Sequence, residues 1–276
     1  MYRSCLHHRS AADHPGASMR SRARIVGCLL AGALIITGCS SMSAPSRPSS
    51  SPQLTMTTAT KPSLSPGAPP CGVPIPGRHR YLPSPAAAVN AVLLLGTGPR
   101  GIALGAQADG DICQMLPFAE REQALGYHVA IFNWNTIGSS DYAADMSRAV
   151  RALIADGARR VVVGGFSRGA LVGLGVASRL GRPVVGVISV SGGPSPEEGF
   201  PTIRSLATYP GPILLISSKD DWVFPRGTSA AIAAAHHGPN TLLVVPGNEH
   251  ALALLQDAPV RQQIYAAIDS FLARVL

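Results

Sequence analysis

The chain has 276 residues, 46% apolar and 14% charged, with a formal net charge of +8. These values suit one sizeable domain with a real core and exclude a wholly disordered chain. No triplet period, sustained heptad or 18-residue apolar run occurs, which excludes collagen-like, coiled-coil and polytopic membrane classes.

The elements begin with a leader. Met19 offers a second start, which makes residues 1–18 an upstream extension. Arg20, Arg22 and Arg24 precede the apolar stretch Ile25 to Ile36, and Ile36-Thr37-Gly38-Cys39 follows. The stretch is too short to span a bilayer and reads as the h-region of a signal peptide. It resembles a bacterial lipoprotein signal, which implies cleavage before Cys39, lipidation of its sulfur and an extracytoplasmic, membrane-anchored protein. The competing readings are an ordinary secretory peptide and a buried helix that happens to precede a cysteine.

Residues 39–75 form the next segment. From Ser40 to Pro70, 20 of 31 residues are Ser, Pro or Thr. Such a stretch buries too little apolar surface to offset its ordering entropy and reads as a tether. From Cys39 onward 18 basic side chains face 14 acidic ones, so half of the net charge leaves with the leader. The remaining arginines lie singly or as the pair Arg159-Arg160, without a basic stripe or interleaved aromatics, so no nucleic-acid partner is expected. Of the five cysteines, processing leaves Cys71 and Cys113. In an oxidising compartment they either pair, tying the start of the domain to its body, or remain separate thiols.

The body alternates two patterns. Apolar runs suited to buried strands occupy Ala91–Leu95, Gly101–Gly105, His128–Trp134, Arg160–Gly165, Val184–Val190, Pro212–Ser217 and Thr241–Val245. Helical spacing marks Gln114–Leu125, Tyr142–Asp156, Arg168–Leu180, Gly227–His236 and Val260–Val275. The alternation predicts a mostly parallel, doubly wound sheet with helices on both faces. The short link Gly96–Arg100 predicts a hairpin between the first two strands.

Three of these strands end on residues with chemistry. The fourth strand runs into Gly165-Phe166-Ser167-Arg168-Gly169, a G-x-S-x-G turn that exposes a serine hydroxyl between strand and helix. A hydroxyl needs a base and an orienting acid. Ser218-Lys219-Asp220-Asp221 follows the sixth strand, and Gly247-Asn248-Glu249-His250 follows the seventh. Ser167, an aspartate and His250 thus sit in order, each at the carboxyl end of its own strand, where an open α/β sheet keeps its site.

Residues 76–276 form the remaining domain, and from about residue 85 onward it resembles a compact α/β hydrolase of the dienelactone-hydrolase-like or esterase-like kind. The resemblance implies a Ser167, Asp221, His250 triad acting on small carboxylic esters through an acyl-enzyme. The spacing to Pro225 favours Asp221 over Asp220. The backbone N–H groups of Gln107 and Arg168 are the implied oxyanion donors, although Gly105-Ala106-Gln107 stands where relatives often carry His-Gly or His-Gln. Trp134 to Ser140 is similar to the family's turn after the fourth strand, with one glycine missing. Only 20 residues separate Val190 from Gly211, too few for a large lid. An open pocket for small ester substrates follows. Asp109 and Asp111 read as exposed turn residues, with pocket groups as the alternative, and His236-His237 as helix-terminal or surface groups. Gly164-Gly165 and the Gly173-x-Gly175 pair complete no dinucleotide or phosphate loop. No metal or cofactor is expected. The rival class is a catalytically silent hydrolase fold serving as an envelope binding or scaffolding lipoprotein.

Overall fold

The apolar runs become strands of one sheet. The computed structural model describes residues 71–83, 91–134, 141–194, 208–224 and 226–276. The leader, Cys39, most of the tether and the turn residues Asn135 to Ser140 lie outside them. The strands are β1 (His79–Leu82), β2 (Val92–Leu95), β3 (Arg100–Gly105), β4 (His128–Phe132), β5 (Arg160–Phe166), β6 (Val184–Val190), β7 (Ile213–Ser218) and β8 (Asn240–Val245). Their order is β1-β2-β4-β3-β5-β6-β7-β8. β2 runs antiparallel to both of its neighbours, and every pair from β4 to β8 is parallel.

Helices α1 (Ile112–Ala124) and α5 (Ala258–Val275) pack on one face. Helices α2 (Tyr142–Ala155), α3 (Arg168–Leu180) and α4 (Thr228–Ala235) cover the other. Alternation along β5 serves both layers: Val161 and Val163 enter one core cluster and Val162 the other. The arrangement is the doubly wound one expected, and no large lid domain is present among the described residues.

The expected hairpin is wrong. β2 and β3 do not pair; β4 enters between them, with Val92 opposite Phe132 on one side and Gly101 opposite His128 on the other. Two strand spacings are only about 10 Å, which a short link spans easily. Gly96 and Gly98 supply the positive φ values, 73° and 124°, that the link requires. The outer edge of β2 is taken by β1, a half-exposed strand that carries no apolar run.

Aspartates start three of the helices. The side chains of Asp111, Asp141 and Asp257 accept hydrogen bonds from the N–H groups of Gln114, Ala144 and Val260, each such cap being worth about 1 kcal/mol. Asp111 is thus a helix cap. Cys71 and Cys113 are bonded, which fastens the start of the domain to the first turn of α1. His236 is not a surface group: it is buried at the end of α4, where its Nε2–H donates to Gly211 O at 2.9 Å.

Between α1 and α5, two carboxylates compete for one guanidinium. Arg121 donates to Asp269 Oδ1 and Oδ2 at 2.9 and 2.6 Å, lies over the Tyr265 ring at 4.1 Å, and donates also to Glu122 Oε1. Glu122 is fully buried and its Oε2 has no partner among the described residues. Burial pushes its carboxyl up to about 7, with Asp269 adding to the rise and Arg121 only partly opposing it. An acid raised in the folded state contributes stability below its unfolded value near 4.5, and that contribution is lost as pH climbs through 7. The loss is on the order of 3 kcal/mol. The melting temperature of the parent should therefore fall by roughly 6–12 °C relative to Glu122→Gln between pH 5 and 8. A difference that stays flat across that range would show that Glu122 is ionised throughout.

Candidate active site

The site is assembled from the carboxyl ends of β3, β5, β6, β7 and β8. β5 enters α3 through Ser167, whose φ of 49° and ψ of −108° place a non-glycine residue in strained territory. The strain is held by packing. A Cβ at either Gly165 or Gly169 would overlap the Gly105 carbonyl oxygen, so only glycine lets β5 and α3 pass β3 this closely. The Ser167 N–H donates to Val190 O at 2.9 Å and fixes the turn to β6. Ser167 occupies the cap position of α3 without capping it. Its Oγ instead lies 2.8 Å from His250 Nε2.

The opposite ring nitrogen of His250 meets a carboxylate. Nδ1 lies 3.0 and 2.9 Å from Asp221 Oδ1 and Oδ2. These partners assign the tautomer: Nδ1–H donates to Asp221, leaving Nε2 to accept from the serine hydroxyl. Asp221 Oδ1 also accepts from the N–H groups of Val223 and Phe224 at 2.8 and 3.2 Å. Burial alone would raise this carboxyl. The hydrogen bonds from His250, Val223 and Phe224 outweigh it and hold Asp221 below the ordinary aspartate range. Its neighbour Asp220 points to solvent and pairs with the exposed Arg226. The geometry therefore selects Asp221 from the adjacent pair.

Two serines overlooked in the sequence set the histidine loop. Ser191, just past β6 with φ 52°, accepts from Ala251 N at 3.0 Å. Ser218, the last residue of β7, donates to Glu249 O at 2.6 Å. Ala251 itself has φ 53°. The one available signal was position, since both serines stand at strand ends that face the site. Trp222 and Phe224 border the imidazole, with ring centroids 5.9 and 5.8 Å from it.

Gln107 follows β3, and Arg168 opens α3. Among the described residues neither backbone N–H has an acceptor, as an oxyanion site requires. The Gln107 side chain donates to Asp109 Oδ1 at 2.9 Å and accepts from Leu252 N at 3.3 Å, joining this loop to the residues after His250. An open cleft of about 430 Å³ lies above the serine, lined by Gln107, Asp109, Ser167, Trp222, Glu249 and His250 among others. Asp109 is the exposed turn residue expected, and it also borders this cleft. No group of three or more metal-ligating side chains converges among the described residues.

This sheet order with a serine at the β5–α3 turn is the α/β-hydrolase fold. A family model described as phospholipase/carboxylesterase matches residues 138–253, a stretch that contains Ser167, Asp221 and His250. Three solved structures share the fold. A dienelactone hydrolase-like promiscuous phosphotriesterase from metagenomic libraries has a TM-score of 0.57 at 15% identity, over 72% of this chain and 98% of that one. A hydrolase from Thermoplasma acidophilum described as CIB-like has 0.55 at 17%, over 71% and 98%. The esterase domain of a Rhodothermus marinus protein has the same 0.55 and 17%, over 71% and 98%. No curated protein matches the chain by sequence.

Proposed function

We propose that the chain is a serine hydrolase that cleaves small carboxylic esters through an acyl-enzyme. The observation that carries this reading is the continuous hydrogen-bond path from Asp221 through His250 to Ser167. His250 Nε2 takes the hydroxyl proton as Ser167 Oγ bonds to the ester carbonyl carbon. Asp221 holds the resulting imidazolium. The N–H groups of Gln107 and Arg168 receive the oxyanion, each donor being worth about 3 kcal/mol. Nε2 then passes its proton to the departing alcohol, and a water activated by the same nitrogen releases the acid. The cleft is open and lacks a covering domain among the described residues, which suits short acyl groups better than long buried chains. The phospholipase/carboxylesterase description of the matching family model supports an ester substrate. The lipoprotein-like leader supports anchoring through Cys39 outside the cytoplasm.

The test is covalent. A fluorophosphonate probe should label the full chain once, on Ser167, and Ser167→Ala should lose both the label and nitrophenyl-ester hydrolysis by about 10⁴-fold or more. A parent chain that neither labels nor hydrolyses would instead be the silent binding lipoprotein.

A further inference from the structure

Side chains and backbone N–H groups from other elements immobilise the loop that follows β3. All three carbonyls from Ala106 to Ala108 are engaged. The Trp134 indole N–H donates to Ala106 O at 3.0 Å and to Gln107 O at 3.2 Å. Gly169 N donates to Ala106 O at 3.1 Å, and Gly110 N to Gln107 O at 3.1 Å. Arg168 Nη1 donates to Ala108 O at 2.9 Å.

In a trans peptide the carbonyl of one residue and the N–H of the next point in opposite directions. Holding the Ala106 carbonyl against Trp134 and Gly169 therefore fixes the Gln107 N–H on the far side of the same peptide plane. We infer that Trp134 is a positioning residue: its indole N–H sets the aim of the Gln107 amide toward the developing oxyanion. The inference rests on the serine-hydrolase reading for its effect on rate, but the orientation of the peptide does not depend on that reading.

The ring is well placed for this role. Trp134 is 4% exposed, beneath the loop and against Gly105, where a Cβ would come within 2.6 Å of the indole Cζ2. Phe132 and Tyr142 meet it edge-on, with centroids 4.9 and 5.5 Å away. The Arg168 guanidinium lies 4.5 Å from the Tyr142 ring centre. Indole, phenol and guanidinium thus form one contiguous row whose two polar ends both grip the loop. A rigid donor positioned before the reaction needs no reorganisation when charge develops, so its benefit falls on the transition state.

The experiment removes the N–H and keeps the ring. Benzothienylalanine at position 134 replaces the N–H with sulfur in a near-isosteric bicycle, and Trp134→Phe provides the genetically simple counterpart. Both are assayed in the full chain on nitrophenyl butyrate, with the Gln107 amide resonance followed by NMR after ¹⁵N labelling. Loss of one positioning hydrogen bond should lower kcat about tenfold with KM within about twofold, and the Gln107 amide resonance should move or broaden. An unchanged kcat overturns the inference, as does a loss of activity with the Gln107 resonance unmoved. If the parent chain hydrolyses nothing, the esterase reading falls by itself. The Gln107 resonance then decides the positioning role: movement in the benzothienylalanine variant sustains it, and an unmoved signal overturns it.

Discussion

Asp221→Asn should lower kcat for nitrophenyl esters by about 10⁴-fold, while Asp220→Asn should leave it within about threefold. The two residues are adjacent and receive the same isosteric change, so the contrast isolates geometry from chemistry. In the Asp221→Asn variant the side chain would retain an oxygen for Val223 N and Phe224 N but would turn an amide N–H toward His250. The imidazole would then present Nδ1 as acceptor and Nε2–H to Ser167, leaving no base for the serine proton. Asp220 loses only its pairing with Arg226 at the surface, where both side chains are open to solvent and ion pairs contribute little. An Asp221→Asn variant that keeps kcat within about threefold of the parent would remove Asp221 from the mechanism.

Gly165→Ala should abolish the folded state or lower the melting temperature by more than about 10 °C. Two independent penalties meet at this residue. Its φ is 140°, which an alanine adopts poorly, and the added Cβ would overlap the Gly105 carbonyl oxygen. That oxygen belongs to a buried central strand and cannot step aside as a flexible side chain would. Gly157→Ala is the control. It carries a positive φ of 106° but has nothing within 4 Å of the new Cβ, so it should destabilise by only about 1–2 kcal/mol. Thermal denaturation of both variants checks the argument, and a Gly165→Ala melting point within about 3 °C of the parent would refute it.

The strands and helices of the body were readable because their signals are local. Buried parallel strands are continuous apolar runs such as Val161–Val163, and helices such as α2 repeat apolar residues every three or four positions. Strand order is not local. The neighbours of β2 depend on where the chain returns, so Gly96–Arg100 looked like a hairpin although β4 separates the strands it joins. β1 was unreadable because His79–Leu82 is half exposed and polar at its start.

At the site, residue type and chain order sufficed to gather Ser167, one aspartate of the 220–221 pair and His250, and the structure brings Ser167, Asp221 and His250 within hydrogen-bond reach. Choosing between Asp220 and Asp221 from the residues themselves needs a direction in space, and only the later proline hinted at it. Ser191, Ser218 and Trp134 act through backbone atoms of distant loops. Nothing in their immediate sequence distinguishes a serine that holds a loop from one that merely ends a strand.

Ser167 stands where a helix usually takes its cap. A serine there would ordinarily satisfy one of the first N–H groups of α3 and add about 1 kcal/mol to stability. Here the same oxygen is turned to His250, so the helix begins with that stabilisation forgone. Stability and reactivity compete at this position for a single side-chain oxygen. The three aspartate caps on α1, α2 and α5 face no such competition, and α4, which starts at Gly227, has no side-chain oxygen to divert.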